Sequence, residues 1–206
     1  MIELSLIQKI SISIIPILFA ITVHEVAHGW VANMLGDPTA KMLGRLTLNP
    51  IKHIDPVGTI LVPMLLLYFG GFIFGWAKPV PINYRHFKHR RRDVALVSIA
   101  GPLSNFLMAC FWGLILHLGS ETNIALNIMC QIGVTINLIL CVLNLIPIPP
   151  LDGSRVVSSI LPGRLSYYYD FIEPYGFFIL LGLYFLGILN LIMDPVLHFL
   201  FRLFLS

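Results

Sequence analysis

Long apolar stretches that carry almost no charge, separated by short polar loops, restrict this chain to a narrow set of folds. Residues 10–34, 94–118 and 124–146 are each long enough to cross about 30 Å of hydrocarbon at about 1.5 Å per residue. No water is present in lipid to pair a free N–H or C=O, so such stretches have to be helices that satisfy their own backbone. The expected fold is therefore an all-α polytopic membrane protein. Composition agrees, with 57% apolar and 11% charged side chains and a mean hydropathy of +0.88, against roughly 45–50% and 25% in a soluble domain. An ordinary soluble enzyme is excluded. The 206 residues fit a single integral-membrane domain, 1–206, of about four to six membrane segments. The 13 Lys+Arg and 10 Asp+Glu leave a net charge of +3, too small for a nucleic-acid footprint. Membrane lipid is the expected environment, and nucleic acid is not an expected partner.

The first apolar segment, 10–34, contains Pro16 and ends at Gly36-Asp37-Pro38. It holds histidine and glutamate where a signal peptidase site would follow, so it reads as a retained segment. The mixed stretch 37–56 is too polar for lipid, and alternation over residues 42–48 suggests a short strand. Residues 57–75 are apolar but broken by Pro63, Gly70, Gly71 and Gly75; a turn-rich run, Phe74-Gly75-Trp76-Ala77-Lys78-Pro79-Val80-Pro81-Ile82-Asn83, leads into the basic cluster 85–92. The segment 94–118 contains Gly101-Pro102-Leu103-Ser104-Asn105, and 124–146 runs into three prolines that stop any helix. After the polar stretch 154–174, a last apolar segment, 175–193, is expected to break at Asp194-Pro195 before a short apolar tail. Cys110, Cys130 and Cys141 stand singly in apolar surroundings and read as packing residues. Tyr167, Tyr168, Tyr169 and Tyr175 fit an interfacial aromatic belt.

Eleven of the thirteen Lys+Arg fall in three loops: three in 37–56, six in 76–93 and two in 154–174. The positive-inside rule puts those loops on the cytoplasmic side. Both ends of 57–75 then lie on one side, and the segment is too short to cross twice, which favours a re-entrant hairpin broken at its proline or glycines. The alternative is that 57–75 spans and the loop 37–56 is external.

The sharpest chemical signal is His24-Glu25-Val26-Ala27-His28. Residues four apart lie on one face of a helix, so both imidazoles can bind one zinc ion, and Glu25 beside them can reach a water on the metal. Each ionisable group inside a membrane helix costs about 2.5–3.5 kcal/mol on insertion scales, so three within five residues need a partner or a purpose. A catalytic zinc site takes three protein ligands and an open position. Of the remaining candidates, His53, His86 and His89 lie in loops, and His117 and His198 near the opposite helix ends. Asp152, just past the proline-rich break, is at the level of His24 and His28 if the segments 10–34 and 124–146 run in the same direction.

The chain resembles the site-2 protease family of intramembrane zinc metalloproteases. The resemblance rests on His24-Glu25-Val26-Ala27-His28, on Gly101-Pro102-Leu103-Ser104-Asn105, and on Asn144-Leu145-Ile146-Pro147-Ile148-Pro149-Pro150-Leu151-Asp152-Gly153. It looks like the minimal prokaryotic branch, which has the Phe74–Pro81 run and lacks PDZ and CBS domains. The resemblance implies a three-helix catalytic core, zinc held by His24, His28 and Asp152, Glu25 as base, and Asn144 near the site as a donor to the oxyanion. Where the family often has a second glycine after its Asp-Gly, this chain has Ser154.

Amide hydrolysis inside a membrane needs water, a base and oxyanion stabilisation. A helical substrate has its carbonyls bonded internally and has to unwind first. The expected substrates are transmembrane segments of other proteins, with Trp76, Lys78 and Asn105 as substrate contacts; Asn105 serves equally well as an interhelical hydrogen-bond residue. A membrane zinc transporter or metal-binding protein is the alternative class, disfavoured because the ionisable groups sit at one level rather than along a path. A catalytically silent relative that binds membrane segments is a third, against which the intact Glu25 argues. The expected location is a prokaryotic cytoplasmic membrane, with the site toward the cytoplasm.

Overall fold

The computed structural model describes residues 5–70, 75–119 and 123–205. They form α1 (Leu6–Met34), α2 (Thr39–Met42), α3 (Val62–Gly70), α4 (Arg90–Gly119), α5 (Ile124–Leu145), α6 (Asp152–Ile160), α7 (Gly163–Asp170), α8 (Gly176–Phe185) and α9 (Ile188–Leu205), with no strand among the described residues. Four helices are long and apolar enough to cross a membrane: Ile10–Met34 within α1, then α4, α5 and α9. The protein is an all-α polytopic membrane protein.

α1, α4 and α5 pack on one another, and α6 lies against α4. The pairings set their directions. Ala32 of α1 packs near Val97 of α4, while Ala20 meets Asn105, so α1 and α4 are antiparallel. Asn105 meets Asn137, and Trp112 lies on Gly133, so α5 is antiparallel to α4 and runs with α1. In lipid, where the hydrophobic effect does not drive helices together, close approach at small residues does much of the work. A Cβ on Gly133 would lie 2.4 Å from the Trp112 ring. A second core joins α4 and α5 to α8 and α9 through residues such as Val134, Leu138, Leu180 and Leu197.

Two expectations differ from what is found, the strand at 42–48 and the break at Asp194-Pro195. The alternation at 42–48 makes no strand; Gly44 N–H to Lys41 O and Arg45 N–H to Ala40 O instead close the end of α2, because the stretch has no neighbouring edge to pair with. The described part of segment 57–75 is too short for the spanning alternative, and the favoured re-entrant reading is not overturned. Asp55 caps a π-helical turn, Pro56–Leu61, that continues into α3, and the apolar helix Pro56–Leu66 is well short of the roughly 20 residues that a crossing needs. Residues 71–74, with Gly71 and Phe74, lie outside the described residues. Beyond them the chain is back at its starting point: Trp76 N–H donates to Gly58 O at 3.1 Å and Lys78 N–H to His53 O at 2.9 Å. Second, the C-terminal region divides at Gly187 rather than at Asp194-Pro195. Leu186 N–H to Gly182 O and Gly187 N–H to Tyr184 O end α8, and Gly187 takes the left-handed φ of 72° that such an ending favours. α9 continues through Pro195 because Met193 and Leu197, on either side of it, are packed into the core.

The loop between α3 and α4 is tied to the end of α1 by Asp37. Its buried carboxylate accepts from Asn83 N–H at 2.7 Å, His86 Nδ1 at 2.7 Å, Thr39 N–H at 3.1 Å and the Thr39 hydroxyl. Burial alone would raise its pKa, but the bonds from Thr39, His86 and Asn83 prevail and hold it below the usual carboxylate value. Arg155 of α6 fastens the same loop from the other side, donating to the Tyr84 hydroxyl and, at 3.1 Å, to Glu173.

Candidate active site

His24 and His28 project from one face of α1, a turn apart, onto α4. Asp152 is the first residue of α6. The proline run ends α5, and Leu151 N–H to Ile148 O turns the chain back so that α6 starts beside α1. Three donor atoms converge there: His24 Nε2 and His28 Nε2 are 3.0 Å apart, and each is 3.2 Å from Asp152 Oδ2. Both imidazoles are buried.

The other ring nitrogens determine what these atoms are. His28 Nδ1 lies 2.7 Å from Val97 O, a carbonyl that can only accept, so it carries the proton. His24 Nδ1 lies 2.6 Å from Asn105 Oδ1. In the neutral rings both Nε2 atoms are then bare lone pairs, aimed at each other and at a carboxylate oxygen that has no hydrogen-bond donor. Such a group is repulsive unless a cation lies within it. Tetrahedral zinc with bonds of about 2.0–2.2 Å wants donors roughly 3.3–3.5 Å apart, close to the separations found. The residues fit a zinc ion.

Glu25 follows His24 and is half-buried. Val80 N–H donates to its Oε2 at 2.8 Å, while Oε1 has no hydrogen-bond partner among the described residues. Asn144 stands near the end of α5, where its Nδ2 donates to Leu140 O at 2.9 Å; no hydrogen bond joins it to His24, Glu25, His28 or Asp152. Trp76 and Lys78 are in the returning loop, on the stretch that leads to Val80. The Trp76 side chain is exposed and stacks edge-on with Phe177. Asn105 is fully enclosed, and its amide is committed to His24, Ala20 O and Asn137. That leaves no hydrogen for a substrate, so the structure supports the interhelical reading of Asn105 instead of the substrate contact.

Three contributors escape a reading of the sequence. The Val97 carbonyl and the Val80 N–H are backbone groups without a side-chain signature, and Asn137 is an isolated polar residue in an apolar helix. Gly101 had a signal. It lies four residues before Asn105, on the same helix face, and a Cβ there would be 2.2 Å from His28 Nε2 and 2.6 Å from the His24 ring. The glycine makes room for both imidazoles.

Comparison with known proteins places this geometry in a family. The profile of Peptidase family M50 matches residues 115–187. The chain is 42% identical over 193 residues to the "Putative zinc metalloprotease YwhC" of Bacillus subtilis, an alignment covering 90% of this chain and 85% of that protein. It is 32% identical to the "Putative zinc metalloprotease Rip2" of Mycolicibacterium smegmatis over 145 residues and to that of Mycobacterium tuberculosis over 140, each covering 66% of this chain and 52% of the relative. No solved structure matches. A 42% match along nine-tenths of the chain, together with a donor triad suited to zinc, leads to one conclusion: the chain belongs to peptidase family M50, the site-2 protease family of membrane zinc metalloproteases.

Proposed function

We propose that the protein is an intramembrane endopeptidase that hydrolyses peptide bonds in or near transmembrane segments of other membrane proteins, as in regulated intramembrane proteolysis. The observation that carries this reading is the meeting of His24, His28 and Asp152 inside the helix bundle with Glu25 beside them. His28 lies six residues, about 9 Å along a helix axis, before the end of α1, which favours chemistry below the membrane surface.

His24 Nε2, His28 Nε2 and Asp152 Oδ2 would hold the zinc. Bound there, zinc supplies Lewis acidity, which lowers the pKa of water toward 7 and polarises the scissile carbonyl. Glu25, its Oε2 restrained by Val80 N–H, takes the proton of the attacking water on Oε1 and passes it to the leaving amine. Asn144 has a second N–H beyond the one given to Leu140 O, and this N–H donates to the developing oxyanion. The substrate helix unwinds before attack, so helix-breaking residues favour cleavage. The returning loop suits an unwound strand. Trp76 and Lys78 point their N–H groups inward, to Gly58 and His53, which leaves the opposite edge, with Ala77 N–H, for an extended chain.

The basic loops favour a site on the cytoplasmic side, and the reading takes the membrane to be a prokaryotic cell membrane and the chain to act as one catalytic domain. The test is zinc per chain by elemental mass spectrometry on protein purified in detergent. Wild type and Glu25→Gln are expected to retain about one zinc, and His24→Ala and Asp152→Ala to lose it. Glu25→Gln then captures, by crosslinking, the transmembrane segments that wild type cleaves. Full zinc retention in Asp152→Ala would overturn the ligand set.

A further inference from the structure

His28 gives its Nδ1 proton directly to the backbone, but His24 does so through two asparagines. Asn105 Oδ1 faces His24 Nδ1 at 2.6 Å, and Asn105 Nδ2 donates to Ala20 O at 3.1 Å and to Asn137 Oδ1 at 2.9 Å. Asn137 Nδ2 in turn donates to Gly133 O at 2.8 Å. Both side chains are 0% exposed. The chain of bonds starts and ends on protein backbone: Ala20 and Gly133 offer carbonyls that can only accept, and each compels an amide N–H2 to face it. Turning either amide over would set two oxygens against each other in a buried site.

We infer that Asn105 and Asn137 are positioning residues, a buried amide relay that fixes the proton of His24 on Nδ1 and so keeps Nε2 a lone-pair ligand. The relay joins three helices, since the orientation set by Gly133 on α5 passes through Asn137 to Asn105 on α4 and on to His24 on α1. A neutral imidazole without such a partner is free to carry its proton on Nε2, the atom that has to bind metal. Asn137 touches neither metal ligand nor base, yet it contributes to metal affinity by excluding the flipped Asn105. This consequence for zinc rests on the metalloprotease reading; the position of the proton does not.

The test uses the full chain in detergent micelles with ¹⁵N-labelled histidine, metal-free and at a pH where the imidazoles are neutral. The His24 signals are identified by their loss in His24→Gln. Wild type is expected to show His24 protonated on Nδ1, whereas Asn105→Leu and Asn137→Leu show a mixture that includes the Nε2–H form. Zinc affinity, read by chelator competition, is expected to fall about 10- to 100-fold in Asn105→Leu and about tenfold in Asn137→Leu. Asn137→Thr is expected to restore both readouts, because its hydroxyl donates to the carbonyl four residues back and accepts from Asn105. An Nε2–H His24 in metal-free wild type overturns the relay without any variant. So does an unchanged tautomer or unchanged affinity in both leucine variants. If wild type binds no zinc while the tautomers follow the expected pattern, the relay stands and the metalloprotease reading fails.

Discussion

Val80 donates its backbone N–H to the carboxylate of Glu25 at 2.8 Å, across 55 residues of sequence. The bond joins the loop that returns from α3 to the helix carrying both histidines. It holds one carboxylate oxygen and leaves the other without a hydrogen-bond partner among the described residues, which the proposed proton transfer requires. A Gln side chain keeps an acceptor for Val80 but is not a base. Glu25→Gln is therefore expected to bind zinc like wild type and to cleave about 10²- to 10⁴-fold more slowly, as measured by single-turnover proteolysis of a captured substrate. Loss of zinc from this variant would assign Glu25 to the ligand set.

Gly101 is where α4 gives way to the imidazoles. In Gly101→Ala a Cβ placed 2.2 Å from His28 Nε2 forces the rings or the helix apart by about an ångström, and the donor atoms lose their common focus. Zinc affinity is expected to drop at least tenfold, in the range of changes made beside metal ligands, with helical content retained. Competition with a chelator, alongside circular dichroism, reads both.

Asp37 makes an acid-sensitive clasp on the loop that carries Val80. Its folded pKa lies below its unfolded value, so the native state binds fewer protons than the unfolded one. The contribution is therefore complete above about pH 4 and is lost as pH falls through the lowered folded value. Asp37→Asn puts an N–H2 against either the Asn83 N–H or the Thr39 and His86 donors, and is expected to destabilise by about 1–3 kcal/mol. Thermal unfolding at neutral and acid pH checks this: the difference between wild type and variant shrinks on acidification.

Metal that binds the folded site stabilises it by mass action, about 2.7 kcal/mol at a free concentration a hundred times Kd. A chelator is expected to lower the Tm of wild type and leave that of Asp152→Ala unchanged. Equal shifts in the two proteins would show that the stabilising ion is bound elsewhere.

Much of the architecture could be read locally. α4 and α5 fall within a few residues of the expected segments 94–118 and 124–146, and α1 begins four residues before the expected 10–34, at a Ser5 capping box that lies outside the apolar run. The C-terminal region was less legible. Asp194-Pro195 is the stronger breaking signal by composition, but one missing N–H is tolerated in a packed membrane helix, and the left-handed turn at Gly187 divides the chain instead.

By itself, the sequence determined what depends on neighbours a few residues apart: which stretches can enter lipid, and that His24 and His28, four apart, share a helix face with Glu25 beside them. Hydropathy and helical period act within one segment, so they can be read without knowing the fold. Tertiary structure decided what depends on distant segments meeting. Asp152 reaches the histidines from 124 positions beyond His28 only because the proline run turns α6 back toward α1. Asn105 meets His24 across 81 positions, and Val97 meets His28 across 69. Those contacts place an acceptor against the second nitrogen of each histidine, the arrangement a pair of metal ligands requires, because an imidazole's free lone pair is determined by the partner of its other nitrogen.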